Sequence, residues 1–214
     1  ADATAADNYA LRLFRSGSSA DFDSFDNSGD ISSTSDHAVL AVDLVCDDDL
    51  AEDAACFANS GTLTAARQFA FAVDNAADFS LSNSGTITAR DRTFEATDLS
   101  GDIVITSSSA VRATHFFDPL YTDPDADSYV MRLVKESGVE GDVILSNSGI
   151  ISNVPVDSYN VSTDEADSVA TPGAAIIISG FSDTNDSVRI DNTGTIETPE
   201  GSTIDVSGQR SVTI

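Results

Sequence analysis

Positive charge is what this 214-residue chain most lacks: ten Lys and Arg stand against 36 acidic residues, a net charge of -26. Such a surface repels phosphate backbones and anionic headgroups, which argues against nucleic acid or a membrane surface as partner and favours cations instead. Long apolar runs are missing too. None approaches the roughly 20 residues needed to cross a bilayer, so no membrane insertion by this segment is expected. The two histidines, His37 and His115, sit in no pattern with a serine or cysteine nucleophile. The two cysteines, Cys46 and Cys56, stand ten residues apart around the acidic run 47–53. With no histidine nearby they do not make a zinc site, and in an extracellular chain they are expected to form one disulfide. No basic-then-apolar leader precedes Ala1-Asp2-Ala3, as in a processed terminus or an excised piece.

What is present is repetition. Asn27-Ser28-Gly29, Asn59-Ser60-Gly61, Asn83-Ser84-Gly85, the degenerate Ser107-Ser108-Ser109, Asn147-Ser148-Gly149 and Asn192-Thr193-Gly194 recur at intervals of 24 to 45 residues. Repetition on this scale marks a solenoid, in which each unit buries its apolar face only against its neighbours. Two residues before each Asn, and also four before every Asn but the first, stand apolar side chains, such as Leu81 with Phe79 and Leu145 with Val143. Four residues after it come Ile31, Leu63, Ile87, Val111, Ile151 and Ile196. This period-two alternation puts the aliphatics on one sheet face before and after the corner. A third strand precedes each pair, over 9–13, 38–44, 69–73, 94–99, 129–134, 175–179 and 203–207, with charges such as Arg12, Asp43, Arg132 and Asp205 marking its outer face.

Three strands per unit close a triangular coil. The chain is therefore expected to be all-β, a single right-handed parallel β-helix over 1–214 with about six to seven coils. Residues 1–8 form an N-terminal segment, and loop insertions at 113–128 and 153–173 interrupt the regular spacing. Insertions on a solenoid project from one edge and carry binding specificity. The 41% apolar content supplies one core, and Asp, 29 of the 36 acids, suits turns better than helices.

Stacking of the corners predicts a structural column of Asn27, Asn59, Asn83, Asn147 and Asn192, each amide bonding to the next. The Gly two residues on is expected to supply a left-handed conformation at the bend. Within the first insertion, Asp123, Asp125 and Asp127 have the spacing that opens a calcium loop. Ser128 and Val134 replace the Gly and Glu of an EF-hand, so a looser Ca2+ site is the only cofactor the sequence offers. His115, Phe116, Phe117 and Tyr121, with Tyr159 in the second insertion, are candidate binding residues for a protein or glycan partner. No residue is singled out as catalytic.

The strings Phe79-Ser-Leu-Ser-Asn-Ser-Gly-Thr-Ile-Thr88, Val143-Ile-Leu-Ser-Asn-Ser-Gly-Ile-Ile-Ser152 and Val188-Arg-Ile-Asp-Asn-Thr-Gly-Thr-Ile-Glu197 resemble the repeats of bacterial autotransporter passenger domains. The resemblance covers nearly the whole chain from Tyr9. It implies export to the bacterial cell surface and adhesion or self-association, and a closely spaced cysteine pair suits it. The chain departs from that family in showing no translocator barrel and no protease or lipase domain, as an N-terminal piece or a processed product would. Three functions follow as expectations. The first is a non-enzymatic adhesin or self-association module acting through the insertions on a cell-surface protein, a glycan or itself. The second is a subunit stacking end to end into a filament or surface layer. The third is a polysaccharide lyase or hydrolase relying on Arg90 or Arg92.

Overall fold

A computed structural model describes residues 9–14, 24–34, 37–46, 55–66, 69–90, 92–114, 129–136, 140–153, 174–180, 187–198, 202–207 and 211–214. These residues form strands and no helix. The first sheet holds β1 (Tyr9–Phe14), β4 (His37–Val45), β7 (Phe71–Ala77), β10 (Arg92–Leu99), β13 (Tyr129–Lys135), β16 (Ile176–Ser179) and β19 (Ile204–Val206). The second holds β2 (Phe25–Asn27), β5 (Phe57–Asn59), β8 (Ser80–Asn83), β11 (Ile103–Ser107), β14 (Val143–Asn147), β17 (Ser187–Asn192) and β20 (Ser211–Thr213). The third holds β3 (Asp30–Ser33), β6 (Thr62–Ala65), β9 (Thr86–Ala89), β12 (Ala110–Ala113), β15 (Ile150–Ser152) and β18 (Thr195–Glu197). Every pairing is parallel and joins strands three apart in order. The chain is thus a parallel β-helix with three strands per coil, as the spacing predicts.

The alternating residues face the axis. Leu81, Ile105, Leu145 and Ile190 from the second sheet meet Leu63, Ile87, Val111 and Ile151 from the third, all buried. In the lower coils the core is aromatic. Phe25, Phe57, Phe71, Phe79 and Phe94 pack with ring centroids 5.2 to 6.3 Å apart, inside the preferred range for tilted rings. Above Phe94 the core continues as Leu, Ile, Val and Met.

Three sequence expectations need correction. Asp43 does not simply alternate with Val42 and Leu44: it has φ +55°, as do Asn75 (+56°) and Asp98 (+51°) at the equivalent place in the next two coils. Short polar side chains tolerate this left-handed state. The extra residue turns Val42 outward, half-buried, and Leu44 inward. The strand expected over 69–73 runs instead over Phe71–Ala77, and Phe69 packs outside it in a separate cluster with Ala72 and Tyr129. The corner glycines are not left-handed; among described glycines only Gly101, Gly141 and Gly180 have positive φ. Their requirement is steric. A Cβ on Gly61 would lie 2.0 Å from the Gly29 carbonyl oxygen, and one on Gly85 equally close to that of Gly61.

The left-handed residue is missing from the fifth coil, where the β10–β13 register shifts between Ala96 and Leu99. Lys135, the only lysine of the chain, consequently lies beside Leu99 and is 2% exposed. Its Nζ donates to the Gly141 carbonyl at 2.7 Å, so the buried cation has a polar partner.

Candidate binding edge

The coil has three corners. At the one between the first and second sheets, Cys46 and Cys56 are joined by a disulfide, both buried. Higher coils turn the same corner on stacked aspartates. Asp78 accepts the backbone N–H of Asp102 at 3.1 Å, Asp102 that of Asp142 at 2.9 Å, and Asp142 that of Ser187 at 2.9 Å. Each carboxylate thus satisfies a turn donor of the coil above and stays on the exposed edge.

The second corner carries the asparagines. Asn27 Nδ2 donates to Asn59 Oδ1, Asn59 to Asn83 and Asn147 to Asn192, each at 2.8 Å. Ser107 interrupts the column, taking a 3.3 Å bond from Asn83. Backbone rungs at this corner remain 2.8 Å throughout, from Ser60 N to Asn27 O up to Thr193 N to Asn147 O. The interruption therefore lies in side chains alone. These asparagines are structural.

The third corner, where the third sheet runs into the first, is the candidate functional edge, because both long insertions leave the coil there. Residues 115–128 join Thr114 to Tyr129, and 154–173 join Asn153 to Ala174. The take-off points are pinned. Thr114 donates its backbone N–H to Ala89 O (2.9 Å) and its hydroxyl to the same oxygen (3.1 Å), while Asn153 N donates to Glu197 O (3.0 Å). On the return side, the backbone N–H groups of Val130 and Met131 both donate to Ala175 O, at 3.1 and 3.0 Å.

Along this edge runs a column of rings and cations, one residue per coil. His37 stacks on Phe69 at 5.4 Å between centroids. The Arg92 guanidinium lies 6.0 Å from the Phe69 centroid and 5.6 Å from that of Tyr129. Arg132 approaches the Tyr129 ring at 5.9 Å and donates to Glu95 Oε2 at 3.0 Å, while the Tyr129 hydroxyl donates to the same carboxylate. Burial, followed by the neighbouring Glu95 charge and hydrogen bond, pushes the Tyr129 phenol well above its usual value. It therefore remains a donor at physiological pH. Aromatic faces holding cations in this way contribute about 0.5–2 kcal/mol per contact, depending on desolvation.

Of the residues singled out in the sequence, Cys46, Cys56 and the asparagines lie where expected. His115, Phe116, Phe117, Tyr121, Tyr159, Asp123, Asp125 and Asp127 lie outside the described residues. Among the described residues no group of three or more His, Cys, Asp or Glu is placed to hold a metal ion. The column of His37, Phe69, Arg92 and Tyr129 is what reading the sequence missed. Extending the coil alignment two residues before Val39, Phe71, Phe94 and Met131 brings these four to one position. No family model, curated protein or solved structure matches the chain.

Proposed function

We propose that this chain is a non-enzymatic, exported β-helix of the autotransporter-passenger kind, displayed at a bacterial surface. It binds a cell-surface protein, a glycan or an identical chain through the third corner. What supports this reading is the departure of both long insertions from one edge whose backbone feet are hydrogen-bonded and whose flank is a rigid aromatic and cationic column. Loops on a rigid scaffold are the usual carriers of binding. The test replaces 115–128 and 154–173, singly and together, by short turns and measures cell adhesion and aggregation beside far-UV circular dichroism. Lost adhesion with an intact β signal supports the proposal, and full adhesion after both replacements overturns it.

A further inference from the structure

Stacked coils share one kind of backbone ladder, so what distinguishes one coil interface from the next is its side chains. Below the fifth coil, three kinds of side-chain fastener run parallel to the axis. Rings pack from Phe57 through Phe71 and Phe79 to Phe94, with centroids 5.2 to 6.3 Å apart. Amides link Asn27, Asn59 and Asn83 at 2.8 Å. Along the border of the left-handed residues, Asn75 Nδ2 donates to Asp43 Oδ1 at 2.7 Å and Thr97 Oγ1 to Asp74 Oδ1 at 3.3 Å. All three stop at the fourth coil, formed by β10, β11 and β12. Phe94 has Met131 beside it in the fifth, and Ser107, in register with Asn147, donates its hydroxyl to the Ser109 carbonyl at 3.5 Å instead. Among the described non-glycine residues of the fifth coil none is left-handed. One coil higher the fastening resumes: Asn147 donates to Asn192, Ser152 to Glu197 and Ser187 to Asp142, each at 2.8 Å.

We propose that the step from the fourth to the fifth coil is a built-in seam, at which the coils up to β12 and the coils from β13 onward open as two cooperative units. The seam is bridged by the backbone ladder, by apolar packing, by the bond from the Asp142 N–H to Asp102, and by an outer latch. In that latch Glu95 on β10 accepts from the Tyr129 hydroxyl and, at 3.0 Å, from Arg132, both on β13. The Arg92 guanidinium lies 5.6 Å from the centroid of the same Tyr129 ring. Residues 115–128 rejoin the coil at Tyr129, and this longer connection raises the entropy cost of closing β13 onto β10. The lower unit has its three fasteners and also the Cys46–Cys56 disulfide, which restricts its unfolded state. The upper unit therefore opens first, in a sub-globular step below global unfolding. The seam belongs to the coil itself and is independent of the binding function proposed above.

Hydrogen exchange of the oxidised chain in low urea, read by mass spectrometry, tests the seam directly. The amides of β13, β14 and β15 are expected to exchange together with those of β16 and β17, and roughly tenfold or more faster than those of β7, β8, β10 and β11, because opening is confined to the upper unit. One common rate for all these strands overturns the proposal, and so does a step in rate at any other coil. Two variants then separate the units. Glu95→Ala removes the latch and speeds exchange of the upper strands about fivefold or more, as the loss of a hydrogen bond to a charged group does, while β7 and β8 keep their rate. Asn59→Ala removes two amide rungs of the lower unit and speeds β7 and β8 while leaving β13 to β17 in place. Equal acceleration of both units by Glu95→Ala shows a single cooperative solenoid and overturns the seam, whether or not Asn59→Ala folds.

Discussion

Asn83 Nδ2 reaches Ser107 Oγ at 3.3 Å, whereas the amide rungs below and above, Asn27 to Asn59 and Asn147 to Asn192, are 2.8 Å. The hydroxyl is too short to span the place of an amide, so the column is two runs instead of one. Ser107→Asn supplies an acceptor for Asn83 and a donor toward Asn147. One net hydrogen bond contributes about 1 kcal/mol, which raises Tm by about 2–4 °C in a domain of this size. An unchanged or lower Tm in a circular dichroism melt would show that the column is not held by its amides.

The corner glycines give a paired test. A methyl group on Gly85 meets the Gly61 carbonyl oxygen at 2.0 Å, but one on Gly29 meets nothing within 4 Å. Gly85→Ala is expected to cost about 3 kcal/mol or to prevent folding, and Gly29→Ala to stay within about 0.5 kcal/mol. Urea midpoints compare them, and equal costs would refute the steric account.

Thr93 is fully buried, and its Oγ1 has no hydrogen-bond partner. It occupies the column of Ala38, Ala70, Val130 and Ala175, all buried. Thr93→Val keeps the shape and removes the unsatisfied hydroxyl, so stability is expected to rise by about 1 kcal/mol. A loss in chemical denaturation would mean that the hydroxyl is satisfied.

The raised phenol of Tyr129 has a pH consequence. Its folded-state value lies above the unfolded value of about 10, so the stabilisation it brings is fully present below pH 10 and is lost as pH climbs above it. Tyr129→Phe is expected to lower stability at pH 7 by about 1 kcal/mol, through loss of the Glu95 bond, and to flatten the decline above pH 10. Denaturation midpoints between pH 8 and 11 check this, and identical alkaline slopes in both proteins would contradict it.

Cys46 and Cys56 close a loop of ten residues in sequence separation. In the chain-entropy account a loop of that size contributes about 3 kcal/mol. Reduction should lower the unfolding free energy by that amount, read as a lower denaturation midpoint at unchanged slope, and should be slow without denaturant because both cysteines are buried. Rapid reduction of the native chain, or an unchanged midpoint, would rule out the clamp.

The solenoid was legible because its determinants are local and repeated. An alternating aliphatic such as Ile87 or Ile151 declares its face by parity alone, and Asn59 and Asn83 declare their alignment by recurring before the same Ser-Gly. The candidate edge was less legible. His37, Phe69, Arg92 and Tyr129 share no chemistry that sequence inspection groups, and become neighbours only when coils of unequal length are stacked.

Residue order by itself determined that this chain winds into three parallel sheets with its aliphatics inside, since period-two burial and recurrent bends leave each coil no apolar partner but its neighbours. Tertiary stacking alone decided the rest. The corner glycines are demanded by the carbonyl one coil below, an unsuspected left-handed aspartate re-phases Leu44 toward the axis, and the only lysine ends beside Leu99 because the fifth coil lacks that extra residue. These are contacts between residues dozens of positions apart, set by a spacing of about 4.8 Å between coils that no local window of sequence contains.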